Sequence, residues 1–219
     1  MLKIEPRKNR SNFLEVSAPV IAVILTMIIG GFLFLSMGKN PFEAIKLIFW
    51  DPIMSPTFSE YSRPQLVIKA APLILIALGL SFGFRANIWN IGAEGQYIMG
   101  ALISGSIGLA LYPLDAWFIF PLMILGGIIG GIFWAMIPAI LKIKFNTNEI
   151  LVSLMLVYVA EQILALASVG FLRNPDGLGF PGSRDLSKYP SAANPELIAN
   201  SGIHIGVIFS FIAVILLTY

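Results

Sequence analysis

The stretch FGFRANIWNIGAEGQ, running from Phe82 to Gln96, decides how this chain is read. It carries Arg85, Asn87, Asn90, Glu94 and Gln96, yet the flanking runs 66–80 and 97–111 are almost wholly apolar. Three glycines, Gly83, Gly92 and Gly95, loosen the backbone here, so the sequence predicts a break rather than one continuous helix. Irregular backbone at membrane depth is tolerated only where protein buries it or where it lines a water-filled cavity. Polar side chains at such a break, beside apolar spans, meet the needs of a polar-solute path through a bilayer. An ordinary loop joining two spans is the plainer reading, and composition alone leaves both open.

Composition places the whole chain in lipid. The apolar fraction is 57% and the charged fraction 12%, against roughly 45–50% and about 25% in soluble domains. A mean hydropathy of +0.85 is more than a soluble core of this size can hide. The net charge is +2 and the basic residues sit at segment ends without forming a stripe, so nucleic acid is not an expected partner. There is no cysteine, which excludes disulfides, thiol catalysis and thiolate metal sites.

Outward from the polar stretch, six apolar segments are predicted: 18–37, 66–84, 91–111, 117–141, 150–172 and 203–219. Each approaches the ~20 residues a helix needs to cross a hydrocarbon layer about 30 Å thick. The expected fold is therefore an all-α integral membrane protein, a polytopic bundle of about six spans. A glycine-rich break separates the second span from the third. Residues 1–17 form a basic arm and 18–219 the membrane domain. Lys3, Arg7, Lys8 and Arg10 resemble a signal peptide's charged start, but the apolar run after them is too long and lacks a small-residue cleavage site. An uncleaved first span is expected.

Short connections orient the bundle. The arm holds four basic residues and the 142–148 turn holds Lys142 and Lys144, whereas 112–116 carries only Asp115. The positive-inside rule puts the amino terminus and the 142–148 turn in the cytoplasm. The longer loops 38–65 and 173–202 then lie outside; both are rich in turn formers, and they read equally as docking surfaces or as linkers.

Helix contacts are marked by small residues. Gly126, Gly127, Gly130 and Gly131 make two overlapping G-x-x-x-G pairs, which let backbones approach closely within the chain or at a subunit interface. Pro138 removes one amide donor and is expected to kink or end that span. Glu161 falls near the middle of the fifth span, where an acid costs about 2.5–3.5 kcal/mol on an insertion scale. It must line a path or pair inside the bundle. His204, at a boundary and without cysteines, makes no metal site.

Enzyme signatures are missing. There is no G-x-x-x-x-G-K-[ST] loop, no H-E-x-x-H pair and no histidine near a G-x-S-x-G elbow. Neither catalysis nor a cofactor is expected of this chain.

Four stretches carry a resemblance. They are KAAPLILIALGLSFGFRANIWNIGAEGQYIMGAL (69–102), IPAILKIKFNTNEILVSLMLVYVAEQIL (137–164), LRNPDGLGFPGSRDL (172–186) and the span entered at His204. From Lys69 onward the chain resembles permease subunits of bacterial ABC importers for nucleosides and simple sugars. These belong to the branched-chain amino acid and ribose-type permease superfamily, in systems served by basic-membrane-protein-type lipoproteins. The resemblance implies two membrane subunits around a central pathway, a separate cytoplasmic ATPase and an extracytoplasmic substrate-binding lipoprotein, all in the bacterial cytoplasmic membrane. A missing phosphate loop is then expected. Family members continue past Tyr219 with further spans and a coupling loop, so the chain is expected to be the incomplete amino-terminal part of a larger permease. Asn87, Trp89, Asn90, Glu94, Gln96 and Glu161 are the candidate pathway residues, with Trp89 as a stacking surface for a base or sugar ring. An ion-coupled transporter or channel is the rival class, its ions using Glu94 or Glu161.

Overall fold

The computed structural model describes residues 12–218, and they divide into two compact units, Met1–Leu66 and Val67–Tyr219. The basic residues of the arm that bear on orientation lie outside the described residues.

In the first unit, α1 (Asn12–Ser36) ends where Gly38 turns left-handed at φ 70°, so that Lys39 N–H reaches the Phe34 carbonyl at 2.9 Å. A left-handed glycine closing a helix by such a back-bond is the expected carboxy-terminal cap. Asn40 then starts α2 (Pro41–Ile45), its side chain accepting from Phe42 N–H, with Pro41 at the first helical position. One π-helical turn (Lys46–Trp50) and α3 (Asp51–Met54) follow. The sequence reads 38–65 as one turn-rich loop. Instead these short helices occupy it and α4 (Ser59–Arg85) begins inside it, with Pro64 within the helix.

The second unit is built on α5 (Ala93–Ala110), α6 (Ile119–Phe145) and α7 (Glu149–Val169), with α8 (Ile205–Thr218) last. The α5–α6 pair is the closest. A Cβ on Gly100 would stand 2.9 Å from the Gly127 carbonyl oxygen, and one on Gly130 would stand 3.0 Å from that of Met99. The four glycines 126, 127, 130 and 131 all face α5: Gly126 against Ile107, Gly127 against Ser104, Gly131 against the Gln96 carbonyl. Dispersion between backbones in contact replaces the hydrophobic drive that lipid removes. Pro138 neither ends nor shortens α6, which runs on to Phe145 with Pro138 buried inside it.

The α6–α7 turn is made by two asparagines. Asn146 caps α6 in the left-handed region (φ 50°, ψ 36°), and Asn148 caps α7 by accepting from Ile150 and Leu151 N–H. Asparagine is the non-glycine residue best suited to the first task, and its side-chain oxygen suits it to the second. Lys142 and Glu149 form an ion pair across this turn at 3.0 Å.

At the opposite end the connections 111–118 and 170–204 pack together. Ile119, Met123, Tyr189 and Ala192 form a buried cluster. The Tyr189 hydroxyl lies within reach of the Leu111 carbonyl at 3.1 Å and of the Leu114 carbonyl. Ser191 Oγ accepts the Ala116 N–H at 3.1 Å and donates to the Asp115 carboxylate. Asp185 caps a single 3₁₀ turn (Leu186–Lys188), and its bonds from Ser187 hold its carboxyl below the usual carboxylate range. The 173–202 segment is thus an ordered platform anchored on the α5–α6 connection.

Each of the six predicted segments contains a helix. Four described helices are long and apolar enough to cross a membrane: α1 from Val16, α4, α6 and α7. The 18-residue α5 reaches about 27 Å at 1.5 Å per residue, but Glu94 and Gln96 dilute its first turn. The 14-residue α8 is shorter still. The chain is an all-helical, multi-pass membrane protein.

Candidate functional site

Helix α4 stops at Arg85 and α5 starts at Ala93, so the predicted break spans 86–92. Its geometry differs from the expected one in an instructive way. The residue in the left-handed region is Asn87 (φ 56°), not a glycine. Ile88 N–H turns back to the Gly83 carbonyl at 2.8 Å, closing α4. Gly92 and Gly95 serve proximity instead. A Cβ on Gly92 would lie 2.8 Å from the Ser153 carbonyl oxygen, and one on Gly95 would lie 3.0 Å from the Val157 Cα. The break is therefore pressed against the first turns of α7.

Side chains then pin it. Ile91 N–H donates to Ser153 Oγ at 3.3 Å. Asn90 does two things: its Oδ1 accepts Gly92 N–H at 2.9 Å, and its Nδ2 donates to Gln96 Oε1 at 3.2 Å. Trp89 is half exposed and packs on Phe84 with ring centroids 5.1 Å apart.

Two hollows meet at this pair of amides. One, of about 200 Å³, lies between the break and the α6–α7 turn, lined by Trp89, Asn90, Gln96, Pro138, Ser153 and the Lys142–Glu149 pair. The other, of about 440 Å³, lies between α4 and α5 and is lined by Leu80, Gly83, Asn90, Gln96 and Tyr97. Ile88, Asn90 and Gln96 border both. The walls are largely apolar, with a few converging amides, a hydroxyl and an ion pair, as in sites that orient a small polar ligand. The first hollow lies beside the last turns of α6 and the first turn of α7, so the break sits toward the end of the bundle that carries the 146–148 turn.

The structure brings Trp89, Asn90 and Gln96 together and leaves the other candidates apart. Asn87 is exposed on the break. Glu94, on the first turn of α5, and Glu161, in the middle of α7, are exposed, line neither hollow and make no salt bridge among the described residues. Uncompensated carboxylates do not face hydrocarbon cheaply, so both need water or another subunit beside them. Sequence reading missed Ser153 and the Lys142–Glu149 pair as cavity residues. The signal for Glu149 and Ser153 was the N-E-I-L-x-S run at 148–153, and Lys142 stood out only as a charge that orients the bundle. Among the described residues no cluster of histidine, aspartate and glutamate could hold a metal ion.

The fold is a multi-pass helical one in which Trp89, Asn90 and Gln96 meet at a helix break. The chain belongs to the family of permease components of branched-chain amino acid transport systems, whose model matches residues 62–219. It is 32% identical over 186 residues to a glucose ABC transporter permease protein of Haloferax volcanii, covering 85% of this chain and 47% of that one. It is 28% identical over 145 residues to a nucleoside ABC transporter permease protein of Lactococcus lactis subsp. cremoris, covering 66% and 39%. A guanosine ABC transporter permease protein of Bacillus subtilis is 32% identical over 143 residues, covering 65% and 39%. The chain spans less than half the length of these relatives. No solved structure matches it.

Proposed function

We propose that this chain contributes the solute path of an ABC importer that carries a nucleoside or a simple sugar across the bacterial cytoplasmic membrane. The observation that carries this reading is the Asn90–Gln96 amide pair between two hollows at a helix break. Membership of the permease family and the relatives that carry glucose, nucleosides and guanosine support the solute class.

Carriage without covalent change needs a grip that reverses. A ring bearing hydroxyls or exocyclic amines exchanges hydrogen bonds with amides at little net cost, because each bond is worth only about 0.5–1.5 kcal/mol beyond what water offers. Beyond the bonds that Asn90 makes to Gly92 and Gln96, Asn90 keeps one amide hydrogen, Gln96 keeps two, and each side-chain oxygen keeps a second lone pair. Trp89 offers a flat face on which a base or sugar ring stacks. Glu94 and Glu161, exposed on this chain alone, fit positions that face the water-filled axis between two permease subunits. ATP binding and hydrolysis belong to a separate cytoplasmic ATPase, and an extracytoplasmic lipoprotein delivers the solute. Such a cycle works only if the site's affinity differs between the two access states.

Uptake of radiolabelled nucleosides and sugars by the complete transporter tests this reading. Asn90→Ala should lower uptake about tenfold, the factor that loss of roughly 1.4 kcal/mol produces, while membrane abundance holds. Unchanged uptake by Asn90→Ala and Gln96→Ala together would remove the amide pair from the path.

A further inference from the structure

Residues 178–180, Leu-Gly-Phe, form a small apolar finger that lines neither hollow. Leu178 is 95% exposed and Phe180 77% exposed. Leu178 is also held in the left-handed region at φ 48°, which a branched side chain avoids unless its surroundings impose it. The finger is held by a ring of backbone bonds. Gly177 N–H donates to the Asn174 carbonyl at 3.1 Å, Phe180 N–H to the Gly177 carbonyl at 2.9 Å and Asn174 N–H to the Gly182 carbonyl at 2.8 Å. Asn174 Oδ1 accepts from Asp176 N–H at 3.1 Å. The ring is then moored to the membrane helix itself, because Gly182 N–H donates to the carbonyl of Ser168, in the last turn of α7, at 3.1 Å.

We propose that this finger inserts into the lipid leaflet at the end of the bundle away from the 146–148 turn. Continuity with the exposed apolar end of α7, a helix long and apolar enough to cross a membrane, selects lipid as the occupant. Leu166 and Val169 are exposed in the last turn of that helix, Phe171 is exposed just beyond it, and the moored ring keeps Leu178 and Phe180 beside that same helix end. Aromatic and aliphatic side chains gather at this depth of a bilayer, where the apolar part of a segment sinks below the headgroups. The charges around the finger agree. Arg173 is exposed and places its guanidinium 3.5 Å from where a Cβ on Gly179 would be, a position suited to lipid phosphate. Asp176, which would repel phosphate, is neutralised by Arg184 at 3.0 Å. The side chains of 178–180 offer no hydrogen-bonding group to a protein partner. Rigidity matters too: a finger already held in shape loses little conformational freedom when it inserts.

These 219 residues hold no cysteine, and any cysteine elsewhere in the full-length permease would first be replaced by serine, so that single cysteines report without background. Leu178→Cys and Phe180→Cys, each labelled with nitrobenzoxadiazole, would be compared with Ser183→Cys after reconstitution of the whole protein in phosphatidylethanolamine–phosphatidylglycerol vesicles. Insertion predicts about fivefold weaker iodide quenching at 178 and 180 than at 183, with strong quenching by nitroxide high on the acyl chain, since the acyl boundary excludes water and ions. An independent readout without an apolar probe is the reaction rate of the unlabelled cysteines with a charged maleimide. It should be about tenfold slower at 178 and 180 than at 183, because thiolate formation needs water. Equal quenching and equal rates at all three sites would overturn the proposal. Protection that appears only when the substrate-binding lipoprotein is added would overturn it in favour of a protein-docking surface.

Discussion

Gly92 lies so close to Ser153 that a single added methyl would stand 2.8 Å from the serine's carbonyl oxygen and 2.9 Å from its Cβ. The same serine accepts the N–H of Ile91 through its hydroxyl. One contact thus fixes both the distance of the helix break from α7 and the direction in which its backbone points. Asn90 and Gln96 inherit their positions from it.

Gly92→Ala should therefore destabilise the protein by about 1–3 kcal/mol, the usual cost of overpacking against atoms that cannot move aside. The neighbour here is backbone, which cannot rotate away. Gly131→Ala is the matched control, since its Cβ would meet the Gln96 carbonyl at an ordinary 3.5 Å. Thermal unfolding in detergent should separate the two variants, and equal midpoints would show that α7 yields.

Asn90 and Gln96 should behave as a coupled pair. Their hydrogen bond predicts that the double alanine variant loses less than the sum of the single losses, with a coupling of about 0.5–3 kcal/mol. Uptake rates of the four proteins in the cycle give this number directly. Strict additivity would mean that the 3.2 Å contact does not shape the path.

The break was legible in the sequence because polar residues within an apolar context are a local signal. So was the α6–α7 turn, where Asn146 and Asn148 do their capping within three residues of one another. Glycine was misread. Gly92 and Gly95 looked like residues that free the backbone, yet their φ values stay in the ordinary range and their use is closeness to α7, some sixty residues on. No local pattern reveals such a partner. The platform formed by 173–202 was hidden for the same reason, as Tyr189 meets Leu111 across 78 residues. The start of α4 at Ser59 was masked by Pro56 and Pro64, which read as turn formers although the helix accommodates Pro64.

Tyr189→Phe should loosen the platform while leaving the membrane helices intact. It removes the hydroxyl that donates to the Leu114 carbonyl, whereas the Leu111 carbonyl keeps the Leu114 N–H at 2.8 Å, so the cost is that of one hydrogen bond, about 0.5–1.5 kcal/mol. Hydrogen exchange should then quicken in 111–118 and 186–193 and remain unchanged in α6. Exchange that is unaltered in both segments would assign the anchoring to Ser191 and Asp115 instead.

The charge bias of short connections predicts orientation. A cysteine at Ser11 should resist an impermeant thiol reagent applied to intact cells, whereas one at Ser183, in the exposed platform, should react. The reverse pattern would invert the bundle.

The most direct test of the central claim is ATP-driven uptake in proteoliposomes. The full-length permease would be assembled with its ATPase, its second permease subunit and its binding lipoprotein, and offered a panel of nucleosides and sugars. The account predicts uptake of one of these solute classes that requires ATP and survives collapse of the proton and sodium gradients. It also predicts that uptake falls about tenfold in Asn90→Ala, equivalent to roughly 1.4 kcal/mol of lost stabilisation. Uptake that runs without ATP and stops when the ion gradients collapse would contradict it.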